Sequence, residues 1–179
     1  KSYEPKIKFI NINSFTKKLK KLKGKIWLDG SNSPSAVKDL LSSKKTKILY
    51  RLDPVLLKRS VKNAIEIQNT KIAHKKDGLA MINLLYWIKK NKRKKLNELE
   101  IINFLESLRN KATNYFGPSF DTICGSGPNG AIIHYRANQH TNRHIKSGDL
   151  ILIDSGGQYL EGTTDITRTI GFGKINYLK

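Results

Sequence analysis

The chain has 179 residues, enough for one ordinary domain or for pieces of two. Apolar residues make up 38 % and come in periodic blocks, which argues against wholesale disorder; no run is long enough for a transmembrane helix, and no signal-peptide pattern opens the chain. The net charge of +20 admits a polyanionic partner, whereas the single cysteine, Cys124, excludes an intrachain disulfide or a thiolate-clustered zinc site and makes a reducing cytoplasm the simplest compartment.

In chain order, Ser14 is expected to cap a short helix reaching Leu22, with Gly24 ending it. Residues 25–29 alternate as a strand. Ser33-Pro34 opens a second helix, and residues 46–50 form a second strand. Helix, strand, helix, strand is α/β material, too short to bury much core alone. Asp53-Pro54 reads as a junction, because proline pushes the residue before it out of the helical region. A long helix is expected over 61–90, capped by Ser60, with Val61, Ile65, Ile72, Leu79, Ile82, Leu85 and Ile88 as its apolar stripe. Asn97 caps another helix, running to about Phe116 with Leu99, Ile102, Leu105 and Leu108 inward, and Gly117-Pro118 stops it.

After Pro118 the pattern changes to strand and turn. Strands are expected over 120–124, 131–135, 149–155 and 163–172. Glycine-bearing turns fall at 125–130 and 156–162, and a polar loop at 138–146. There is no internal repeat.

The charge is uneven. Residues 1–116 carry 28 Lys and Arg against 9 Asp and Glu; residues 117–173 carry 4 against 5. With 27 lysines, only 7 arginines and no interleaved aromatics in the lysine runs, the basic part reads as a solvated face, and loose polyanion binding is the alternative.

Residues 125–130 fit G-x-G-x-x-G, but a short β-like segment follows instead of a helix, so a tight turn is the better reading than a nucleotide loop. Asp154 and Asp165 are the most informative pair. Their eleven-residue spacing around a glycine-bearing turn lets two antiparallel strands bring both carboxylates together. Such a pair repels, and a hard divalent cation relieves the cost. The alternative is a turn-capping Asp154 and an Asp165–Arg168 ion pair. His134 ends an apolar stretch, where a structural histidine is the ordinary reading. His74, His140 and His144 default to solvent or packing, and no H-E-x-x-H occurs.

Four stretches together resemble Xaa-Pro aminopeptidase (aminopeptidase P), in particular its longer three-domain branch. They are Gly127-Pro128-Asn129-Gly130-Ala131-Ile132-Ile133-His134-Tyr135; Thr141-Asn142-Arg143; Leu152-Ile153-Asp154-Ser155-Gly156; and Asp165-Ile166-Thr167-Arg168-Thr169. Lys62-Asn63, Glu66-Ile67, Ala73-His74 and Asp77-Gly78 resemble the first helix of its catalytic domain. The resemblance implies an α/β (α+β) chain. Residues 1–58 would be the C-terminal part of a creatinase/prolidase-type non-catalytic domain, and 59–179 the first half of a pita-bread metallopeptidase domain.

The resemblance further implies two divalent metal ions, usually Mn²⁺, and removal of an N-terminal residue that precedes proline. It places Asp154 as a metal ligand, Asp165 as the aspartate bridging both metals, and His134 as a substrate-contacting histidine. It also requires one further histidine and two glutamates as ligands. No acid or histidine follows Asp165, so the chain is expected to be a fragment, inactive alone. The implied partners are an Xaa-Pro peptide, the missing C-terminal half in trans and a second copy in a homodimer of the complete enzyme. Neither a membrane nor a nucleic acid is implied. Other readings are a catalytically dead remnant that binds a partner, or a basic nucleic-acid-binding module.

Overall fold

A computed structural model describes residues 8–42, 45–92 and 94–175. The chain divides into two compact units, Lys1–Lys62 and Asn63–Lys179. The outer ends of the two expected domains, 1–7 and 176–179, lie outside the described residues.

The first unit holds α1 (Phe15–Leu19), β1 (Gly24–Leu28), α2 (Ser35–Leu41), β2 (Thr46–Tyr50) and α3 (Pro54–Ser60). The expected helix–strand–helix–strand order is present, and β1 and β2 pair in parallel, Ile26 opposite Ile48. Three local expectations change. Ser14 makes no side-chain cap; its hydroxyl donates back to the Asn11 carbonyl at 2.7 Å. Gly24 opens β1, with φ +88°. Asp53-Pro54 starts a helix: the Asp53 carboxylate accepts from the Val55 N–H at 2.8 Å, and proline's fixed φ suits the first turn. The Asp29 carboxylate accepts from Ser31, Asn32 and the Asp53 N–H. The Asn32 side chain and then the Asp53 amide hold it below its ordinary range.

The second unit begins with α4 (Ala64–Lys90), whose cap is Asn63 rather than Ser60. Asn63 and Glu66 form a reciprocal capping box, at 2.9 and 2.8 Å. The buried face of α4 is Ala73, Asp77, Ala80, Met81, Leu84 and Ile88. Of the expected stripe only Ile88 is fully buried, while Val61, Ile65, Leu79 and Ile82 are exposed. Small Ala73 and Ala80 let the helix approach its neighbours, and that selects the face.

Helix α5 (Glu98–Arg109) is capped by Asn97 as expected, through a second box with Glu100. It ends seven residues early. Asn114 takes φ +64°, a left-handed conformation that asparagine tolerates, and the chain turns into β3 (Tyr115–Pro118). Trp87 of α4 stacks on Phe104 of α5 at 4.3 Å.

Two three-stranded sheets follow. One orders β3, β6 (Gly157–Tyr159) and β7 (Gly162–Thr163). The other orders β4 (Ile123–Ser126), β5 (Leu150–Ser155) and β8 (Ile166–Gly171). All pairings are antiparallel. Leu84, Ile88, Ile101, Leu105, Ile151 and Ile153 centre the core between α4, α5 and the second sheet. The expected strand 163–172 is therefore split between two sheets, and 156–162 contains β6 instead of being a simple turn. Segment 131–135 is not a strand. Gly127–Ala131 winds as 3-10, and His134 takes φ +54° in the following turn. Propensity loses here to buried polar anchors described below.

Candidate functional site

Strands β5 and β8 place Asp154 directly opposite Thr167, and Ser155 opposite Ile166. Opposed residues share a sheet face, and residues two apart along a strand share it too. Asp165 lies just ahead of β8 and opens on the same space as Asp154. Together with His134, Arg136, Asp121 and Phe120 they line a cavity of about 430 Å³. The Thr167 hydroxyl donates to Asp154 Oδ1 at 2.8 Å, which fixes that carboxylate and leaves Oδ2 without a protein donor among the described residues. Arg168 turns instead to the Thr167 carbonyl at 2.7 Å, and no ion pair joins it to Asp165 among the described residues. Exposed Arg136 and Asp121 pair at the rim.

Thus the structure brings all three expected site residues to one cavity. His74, His140 and His144 do not join them. Among the described residues, no group of three or more His, Cys, Asp or Glu forms a candidate metal cluster. Cys124 is fully buried, and burial pushes its thiol up, so it is not a nucleophile here.

Behind this face lie two buried polar networks that the sequence did not disclose. In the first, Asp77 and Arg109 are both fully buried. Arg109 donates to Asp77 through Nε at 2.6 Å and Nη2 at 3.1 Å. Arg109 Nη2 also donates to Ser155 Oγ at 3.0 Å, and the Thr164 hydroxyl donates to Asp77 Oδ2 at 2.6 Å. The Tyr159 hydroxyl donates to Asp77 Oδ1 at 3.2 Å; burial, and then the Asp77 charge, raises that phenol. In the second network Glu98, fully buried, accepts from the Ser126 N–H and hydroxyl, the Asn129 amide, the Tyr135 hydroxyl and the Arg143 N–H. It pins both ends of the 126–143 segment that carries His134.

Spacing held a signal for Asp77, which falls on one helical face with Ala73, Ala80 and Leu84. Glu98 gave none, since an acid in the first turn of a helix is ordinarily a solvated dipole partner.

The family model for metallopeptidase family M24 matches residues 68–178. The chain belongs to that family. This M24 chain is 39 % identical over 155 residues to Xaa-Pro aminopeptidase 1 of Dictyostelium discoideum, covering 84 % of this chain and 24 % of that protein. It is 39 % identical over 132 residues to Xaa-Pro aminopeptidase ApepP of Drosophila melanogaster, covering 73 % and 22 %. It thus spans about a quarter or less of those curated relatives.

Among solved structures it superposes with TM-score 0.75 and 26 % identity on X-prolyl aminopeptidase from Caenorhabditis elegans, described as a cytosolic enzyme with a di-nuclear active site. That match covers 92 % of this chain and 27 % of the other. For prolidase from Pyrococcus furiosus the TM-score is 0.70 and the identity 27 %, covering 96 % and 48 %. The mixed helix-and-strand architecture of this M24 chain is accordingly that of its pita-bread relatives, as the motif resemblance implied. No helix among the described residues is long and apolar enough to cross a membrane.

Proposed function

We propose that this chain carries part of the active site of an Xaa-Pro aminopeptidase, a cytoplasmic enzyme using two divalent cations, with Mn²⁺ the preferred ion. Residues 1–58 form the end of a preceding non-catalytic domain, and 59–179 the first half of the catalytic domain. The observation that carries the reading is the convergence of Asp154, Asp165 and His134 on one cavity from β5, the 164–165 link before β8, and the 131–135 turn.

The two carboxylates fit a hard cation in donor type and in facing a common space. Asp154, oriented by Thr167, and Asp165, open to the cavity, are the residues of this chain that would hold the cations. When bound, such ions polarise a scissile carbonyl and make a water more acidic. His134 contacts the peptide substrate, its position fixed through the Glu98 anchors on both sides of its turn. The chain supplies two of five ligands, so it is inactive alone; a histidine and two glutamates come from a C-terminal half, and the complete enzyme is a homodimer.

The test is Xaa-Pro peptide hydrolysis with Mn²⁺, by the purified chain alone and after adding the C-terminal half of the catalytic domain of an Xaa-Pro aminopeptidase. Activity only in the mixture, lost with Asp165→Asn, is the expected result. Equal activity of the chain alone overturns the incomplete-site reading, and no activity in a mixture shown to associate overturns the peptidase reading.

A further inference from the structure

We propose that the buried Asp77–Arg109 pair is a positioning device that sets the separation of Asp154 and Asp165; the inference rests on reading those two aspartates as cation ligands. Along an extended chain, neighbouring residues face opposite sides. Ser155 and Thr164 are buried, and each is the immediate neighbour of a cavity-facing aspartate. Arg109 holds the Ser155 hydroxyl and Asp77 holds the Thr164 hydroxyl, while the two charged groups grip each other through two bonds.

One ion pair therefore ties together the two backbone positions from which the carboxylates project. Its anchor is the helix pair α4 and α5, which carry Asp77 and Arg109 on their buried faces. The clamp continues around Thr164. The Gly157 N–H donates to its hydroxyl at 2.8 Å, its own N–H donates to the Gly157 carbonyl at 2.9 Å, and the Ser119 hydroxyl donates to its carbonyl at 2.9 Å.

Stability alone does not account for the arrangement. A buried ion pair seldom contributes more than well-packed apolar groups of the same volume. What it adds is direction, and here its bonds end on the residues flanking both aspartates. Partners that orient ligands from behind typically matter 10- to 100-fold in metal affinity.

The test is a Mn²⁺ titration of the ¹⁵N-labelled 179-residue chain, read as paramagnetic broadening of individual amide signals. Broadening is expected around residues 154 and 165, and is expected to be lost in Asp154→Asn and Asp165→Asn. Thr164→Val keeps the shape and removes the hydroxyl. It is expected to weaken the apparent affinity about 10-fold or more while amide positions elsewhere stay native. Ser155→Ala is expected to act in the same direction, and Thr164→Ser to restore binding.

If the wild-type chain shows no broadening at 154 and 165, or broadening indifferent to both aspartate variants, the cation reading fails and the proposal with it. Broadening that depends on the aspartates but is unchanged in Thr164→Val and Ser155→Ala overturns the positioning role alone. Should Thr164→Val lose the native amide pattern, Ser155→Ala, the smaller change, decides in the same way.

Discussion

The Thr164 hydroxyl donates a 2.6 Å hydrogen bond to the carboxylate of Asp77, 87 positions earlier in the chain. It joins the middle of a long helix to the residue just before Asp165, so the cavity-facing carboxylate inherits its place from the core. The same carboxylate receives Arg109, whose other bond reaches Ser155 beside Asp154.

Removing one partner of that pair leaves a buried charge uncompensated. Arg109→Leu is expected to destabilise the chain by about 3–5 kcal/mol, measured by urea unfolding. The double variant Asp77→Leu with Arg109→Leu is expected to recover much of the loss while still weakening Mn²⁺ binding. Equal stability of Arg109→Leu and wild type would contradict the burial described for both groups.

Gly156 sits against the Thr164 carbonyl and the Ser119 hydroxyl, so closely that a Cβ would collide with both. Gly156→Ala is expected to push the 164–165 link away from β5, at a cost of about 1–3 kcal/mol from overpacking. Thermal unfolding checks the stability. Faster amide exchange at Thr164 and Asp165 than in wild type checks the site.

Glu98→Gln places donors against the Tyr135 hydroxyl and the Arg143 N–H, or against Ser126, because an amide cannot accept on both heads. Leaving a buried donor unsatisfied costs about 1–3 kcal/mol. Hydrogen exchange is expected to quicken throughout 126–143, which includes His134, and to remain unchanged in α4. Uniform quickening across the whole unit would show that Glu98 supports the fold at large and not this loop.

The Glu161 carboxyl is held below its ordinary range by the Lys76 hydrogen bond first, then by Asn114. A carboxyl depressed in the folded state stabilises the fold above its unfolded pKa, and that contribution disappears as pH falls through the folded value. The stability difference between wild type and Glu161→Gln is therefore expected to be largest near neutrality and to shrink on acidification through the carboxylate range. A difference that grows toward acid would reverse the assignment.

Much of the frame was legible in the sequence. The β2 bounds, the two strands of the first unit, the Asn97 cap and the β5–β8 pairing follow from local periodicity and turn chemistry. The opening of Asp154 and Asp165 onto one cavity also agrees with their spacing. What failed did so where distant groups overrule local preference. Residues 131–135 have strand-like composition, yet Asn129 and Tyr135 are anchored on Glu98, and the chain between them coils. The stripe assigned to α4 followed its largest apolar residues, whereas packing chose the face with Ala73, Asp77 and Ala80. A charged residue on a core face looks like an error until its partner, 32 positions away, is known.

Asp154 and Asp165 are proposed to share a cation. Crystals of the chain grown with Mn²⁺, measured near the manganese absorption edge, test it most directly. An anomalous peak is expected within coordination distance of oxygens from both carboxylates, absent in Asp165→Asn crystals. Manganese found elsewhere on the chain, with both carboxylates bound only to water and protein, would contradict it.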